Sequence, residues 1–115
     1  MNYTFSDEYT WIPVANGNLE DEAPTEFQLK YMTLPERVDC MVVDFLSVDG
    51  TTQRRTSFNE AKILKYSIVS IKNLSVNGEE IKTVAQLLAV RRLASLCSLL
   101  ADYCAGKNNT TDLKN

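Results

Sequence analysis

Residues 83–105, TVAQLLAVRRLASLCSLLADYCA, constrain this chain more than any other stretch. They open with the pattern of a capping box, in which the Thr83 side chain accepts from the Gln86 amide and Gln86 reaches back to the Thr83 N–H. On a helix, Arg91, Ser95, Ser98 and Asp102 fall at spacings of four, three and four and form one narrow polar stripe. Off that stripe the side chains are apolar: Val84, Leu87, Leu88, Val90, Leu93, Leu96, Leu99, Leu100 and Tyr103. A helix on the outside of a small domain needs an apolar face only about 100° wide. A helix apolar nearly all round calls for cover on several sides, from its own fold or from other chains. Because the rest of the chain is short, the sequence favours a partner or self-association.

The remaining pattern predicts a small α+β domain. Tyr3, Phe5, Tyr9, Trp11 and Ile12 sit at mostly odd positions, the alternation of a strand with one buried face, over residues 2–12. Residues 19–26 (LEDEAPTE) read as a solvated acidic loop, and a second strand follows over 27–32. Thr33-Leu34-Pro35-Glu36 starts a helix, with Pro35 in the first turn where its missing N–H costs nothing. That helix is expected over 34–47, with Val38, Met41, Val42 and Phe45 on one side and Asp49-Gly50 closing it. Ser57-Phe58-Asn59-Glu60 repeats the box and predicts a helix over 58–72, although Tyr66, Ile68, Val69 and Ile71 also suit a strand over 65–74. Asn77-Gly78 is the favoured pair of a two-residue hairpin turn. The last helix follows over 83–105, with Gly106 as its C-cap. The expected organisation is therefore one domain over 1–106 with a polar tail over 107–115.

At 115 residues the chain is long enough for one modest core. Arg91 and Arg92 interrupt the best apolar run short of a membrane span, and MNYTFSDEYTW lacks the features of a signal peptide. The expectation is a chain kept in a cytoplasm, with no membrane partner. Three cysteines without a CxxC pattern or any histidine give no zinc set, and they read as small core hydrophobes. The net charge of −3 is unevenly spread. Residues 1–49 carry ten acids and two bases, whereas residues 50–115 carry five acids and ten bases. Either the two halves face each other in one fold, or an acidic end of one subunit meets a basic end of the next.

Little catalytic chemistry is on offer. Without histidine the commonest general base is missing. The four glycines at 17, 50, 78 and 106 stand beside turns and build no phosphate loop. No cofactor or metal is expected. Arg54-Arg55 and Arg91-Arg92 concentrate positive charge, but a sequence pI near 4.9 argues against nucleic acid as a partner.

FQLKYMTLPERVDCM, an extended segment leading into a capped helix with a Glu-Arg pair, resembles the opening of many small tail-module proteins of tailed bacteriophages. IVSIKNLSVNGEEIKTVAQLLAV and the polar end Thr110 to Asn115 are similar to the same group, which includes tail assembly chaperones and small baseplate components. The resemblance implies a non-enzymatic protein–protein interaction role in phage tail assembly, in the virion or the host cytoplasm, with other tail proteins or further copies as partners. It carries over no individual functional residue. The alternative is a cellular interaction or regulatory domain that binds a protein partner. On either reading the expected interface is the last helix: Leu87, Val90, Arg91, Arg92, Leu93, Leu96, Leu100 and Tyr103.

Overall fold

The computed structural model describes residues 1–109 and has the expected α+β architecture. In chain order the elements are β1 (Glu8–Trp11), a short 3₁₀ segment (Ala15–Glu20), β2 (Glu26–Lys30), α1 (Leu34–Cys40), β3 (Met41–Val48) and β4 (Thr51–Phe58). They continue with α2 (Glu60–Ser67), β5 (Ile68–Lys72), β6 (Ser75–Val76), β7 (Glu79–Glu80), α3 (Val84–Ala89) and α4 (Ala94–Asn109). β2 lies at the centre of an antiparallel three-stranded sheet, between β1 and β5. Its period-two pattern sends Phe27 and Leu29 fully inward while Lys30 faces solvent. Trp11 and Ile71 flank Phe27 in register. α2 and α4 pack against each other and supply Ile63, Leu64, Leu100, Ala101 and Cys104 to the same core. Over β1, Tyr103 of α4 meets Tyr9 at 5.9 Å and Trp11 at 5.8 Å, but the strand expected over 2–12 is confined to Glu8–Trp11. Tyr9 and Trp11 are half-buried against the core, while Tyr3, Phe5 and Ile12 lie outside the strand and are exposed.

Two of the three predicted capping boxes form. Thr33 accepts from the Glu36 amide at 3.4 Å and donates its own N–H to Glu36 at 2.9 Å, and Thr83 and Gln86 do the same at 3.1 Å each way. The box at Ser57 does not form. The Asn59 N–H bonds the Cys40 carbonyl at 2.8 Å, which continues the β3–β4 pairing past Phe58. Asn59 is then the residue that caps α2, accepting from Lys62 N at 3.1 Å.

Three predicted helices are corrected. The helix expected over 34–47 ends at Cys40, and Met41–Val48 is strand, because Val42 and Val43 favour extended backbone and Thr51–Phe58 supplies a partner. Asp49 and Gly50 both have positive φ (50° and 76°) and form a hairpin turn rather than a helix stop. The helix expected over 58–72 ends at Ser67, and residues 68–72 take the strand alternative as β5. Asn77-Gly78 is the turn foreseen, with φ of 52° and 80°, between β6 and β7.

The third correction matters most for function. The predicted single helix over 83–105 breaks at Val90, which is extended (φ −85°, ψ 106°), and a 3₁₀ turn over Arg91–Leu93 leads into α4. The break lets the chain cover much of the apolar surface itself, although Leu99 remains exposed. A straight helix turns one face to a core, whereas α3 and α4 each bury their own, and Leu87 and Leu100 are both wholly covered. α4 also runs through Gly106 to Asn109, so that glycine is no C-cap. The Asn108 side chain accepts from Met32 N and donates to Cys104 O, both at 2.8 Å, so the expected tail starts inside the packed domain. Its end, residues 110–115, lies outside the described residues.

Candidate interaction surface

The β3–β4 hairpin stands apart from this core. Each strand has eight residues, about 26 Å at 3.3 Å per residue. Beyond its root the hairpin packs against no other element to any extent, and nearly every residue is exposed. The radius of gyration, 16.8 Å, reflects the projection, since a compact domain of 100 residues has about 13 Å.

Its sequence is unsuited to standing in water. Met41, Val43 and Phe45 point to one face, and Val42, Leu46 and Val48 to the other. All six are exposed, Phe45 to 69%. Across from them β4 is mostly polar: Val43 opposes Thr56, Phe45 opposes Arg54 and Leu46 opposes Gln53. One cross-strand ion pair, Arg55 to Asp44 at 3.3 Å, braces the ribbon, and being half-exposed it contributes at most about 1 kcal/mol. An isolated two-stranded hairpin is marginal in water. Apolar side chains on both faces of such a ribbon make an exposed patch of the kind found at interaction sites.

The root, by contrast, is held firmly. Tyr66 of α2 donates to Asp39 at 2.6 Å, and Lys62 of the same helix reaches Asp39 at 3.3 Å. The Tyr66 hydrogen bond, with Lys62 beside it, holds the Asp39 carboxyl below its ordinary pKa. These contacts clamp the end of α1 to α2 at the point where β3 departs.

A second feature lies at the opposite end of α4. A cleft of about 490 Å³ opens between Pro13, Asn18, Asp21, Leu74, Leu93 and Leu96. Part of the loop that frames it is the acidic segment read from the sequence as solvated; residues 19–23 are exposed, whereas Pro24, Thr25 and Glu26 are half-buried, and its backbone is organised. Asn18 donates to Pro13 O (2.7 Å) and Thr25 O (3.1 Å) and accepts from Thr25 N (2.7 Å). Thr25 Oγ1 donates to Asn73 O at 2.7 Å, which pins the loop to the turn after β5. Among the described residues Glu20, Asp21 and Glu22 have no cationic partner.

The interface residues expected from sequence are divided by the fold. Leu87 and Leu100 belong to the interior and present nothing to a partner. Val90, Leu93, Leu96 and Tyr103 are half-buried against the core, with Leu93 and Leu96 also lining the cleft. Arg91 and Arg92 are exposed at the break and make no ion pair among the described residues. Sequence reasoning missed the hairpin as a surface, although Asp-Gly between two eight-residue runs was the signal for it.

Chemistry inside the domain is quiet. Among the described residues no three His, Cys, Asp or Glu side chains come together as a metal set. Burial pushes the thiols of Cys40, Cys97 and Cys104 up, and Asp39 and Glu60 add to it at the first two, which is the wrong direction for a nucleophile. Tyr9 Oη and Ser67 Oγ are buried without a well-formed hydrogen bond, and both interact with the Cys104 thiol, a weak partner. Iodoacetamide at neutral pH is expected to modify Cys97 slowly and to reach Cys40 and Cys104 only after unfolding, read by peptide mass. Rapid labelling of Cys104 in the folded chain would contradict this packing.

No protein-family model matches the chain, and no curated protein or solved structure matches it significantly. No described helix is long and apolar enough to cross a membrane.

Proposed function

We propose that this chain is a non-enzymatic interaction subunit of a bacteriophage tail, a structural tail or baseplate component or an assembly chaperone. One observation carries the interaction role: a hairpin tied to α2 only at its root, which exposes apolar side chains on both faces and packs against no other element to any extent beyond that root. A chain that kept Val42, Val43, Phe45 and Leu46 in water without a partner would carry an aggregation hazard for no return. The absence of histidine and the upward-shifted thiols support a role without catalysis. The tail assignment is supported by the resemblance in sequence.

The test is purification of the tagged chain co-expressed with its neighbouring genes, together with mass spectrometry of any particles. The expected result is a stoichiometric complex with a tail-module protein, and recovery in particles separates a structural subunit from a chaperone. A stable complex with a cellular protein and none with a tail protein would replace the tail assignment with a cellular interaction or regulatory role. No partner and no self-association would remove the interaction role itself.

A further inference from the structure

We infer that the hairpin of one copy docks into the cleft at the far end of a second copy, so that the chain assembles head to tail. This rests on the reading of the hairpin as an interaction arm and adds the identity of what it binds.

Three observations converge. The first is position. Cys40 and Phe58 at the hairpin root share a small cavity with Ala105 and Asn108, near the C-terminal end of α4, whereas Leu93 and Leu96 line the cleft at its N-terminal end. The two sites are therefore separated by about 14 to 18 Å along the helix axis at 1.5 Å per residue. Arm and cleft stand at opposite ends, which is the arrangement of a heterologous contact that repeats from copy to copy. Such a contact closes into a ring if the rotation permits and otherwise extends as a filament.

The second is chemistry. Phe45 and Arg54 are directly opposed, so one face of the arm presents an aromatic ring beside a cation that has no ion-pair partner among the described residues. The cleft offers the complement. Pro13, Leu74, Leu93 and Leu96 give it apolar walls, Asp21 stands at its edge, and Glu20 and Glu22 flank that acid. The uneven charge of the two chain halves thus resolves in two ways. Asp39–Lys62 and Asp44–Arg55 pair the halves within one copy, while Glu20, Asp21, Glu22 and Arg54 are among the charges, Arg91 and Arg92 included, that have no ion pair among the described residues and are open to contact between copies.

The third is preparation. The loop around the cleft is fixed by the Asn18 and Thr25 hydrogen bonds and the arm by its clamped root, so docking orders little that is loose. A cleft of about 490 Å³ has room for the Phe45 ring and a few side chains beside it, so the rest of the ribbon would lie along the surface around it. The two eight-residue strands approach the roughly 20–30 residues that one side of a standard interface uses.

Mixing two variants tests this. Phe45→Ser with Arg54→Glu disables the arm and leaves the cleft. Glu20→Lys with Glu22→Lys disables the cleft, leaves the arm, and spares the turn bond from Ala23 N to Asp21 at 3.1 Å. All four side chains are exposed, and unchanged melting curves check that both variants fold. In sedimentation at low salt, wild type is expected as a multimer that dissociates as salt rises. Each variant alone is expected as a monomer, its association weakened roughly tenfold or more. Their mixture is expected to give a one-to-one dimer and nothing larger, because only one arm and one cleft remain. A multimer of the cleft variant alone would mean that arms pair with arms and would overturn the inference. Wild type that is monomeric in every condition would overturn it as well. If the arm variant then also loses a co-purifying protein, the interaction role stands and the arm binds that protein instead. If it keeps every partner, both readings fall.

Discussion

Phe27→Ala is expected to lower the melting temperature by on the order of 15 °C or more. Phe27 is wholly buried on the central strand, flanked by Trp11 and Ile71 in register, with the Trp11 ring 5.7 Å away. Truncating a buried phenylalanine costs about 3–5 kcal/mol through lost transfer energy and the cavity left behind. The neighbours cannot close that cavity, because β1 and β5 are tied to β2 by backbone pairing on both sides. Domains of this size hold only about 5–15 kcal/mol of stability, so the loss is a large share of the whole. One kcal/mol shifts the melting point by roughly 4–8 °C in a domain of 60–100 residues. A drop of only a few degrees, measured by circular dichroism, would show that the sheet core lies elsewhere.

Where local chemistry alone decides the backbone, the sequence was enough. Thr33 and Thr83 cap helices because each has its Glu or Gln partner three residues on, and Asn77-Gly78 turns because both residues accept positive φ. β2 was legible because only one of its faces is covered, which writes burial into alternation. β3 was not. It is uncovered on both faces, so its apolar residues follow no period of two, and Val38, Met41, Val42 and Phe45 fit a helix equally well. The break at Val90 carries no Pro or Gly signal, since it is set by which faces of α3 and α4 reach the core. The cleft was beyond sequence reasoning for a related reason. Its walls come from near residues 13, 21, 74 and 93, which only the fold brings together. Of the last-helix residues expected at an interface, Leu93 and Leu96 line the cleft, whereas Leu87 and Leu100 are wholly buried. The chain covers much of the apolar excess there itself, though Leu99 stays exposed and Leu93 and Leu96 only half-buried.

Removing the hairpin should leave the domain standing. With Val43–Thr56 replaced by Asn-Gly, Val42 and Ser57 remain paired next to a two-residue turn of the favoured type. The deleted residues contribute nothing to the buried cluster, and changes to exposed surface are usually worth within about 0.5 kcal/mol. The melting temperature is therefore expected to stay within a few degrees of wild type, while every partner and every multimer is lost. Such a separation of stability from association is what an arm built for contact requires, and a structural hairpin would not give it.

The most direct measurement is thus sedimentation and thermal melting of this shortened chain beside wild type, alone and with co-expressed neighbours. The account predicts a stable monomer that captures nothing, against a wild type that associates. A shortened chain that unfolds, or one that folds and still assembles as wild type does, would contradict it.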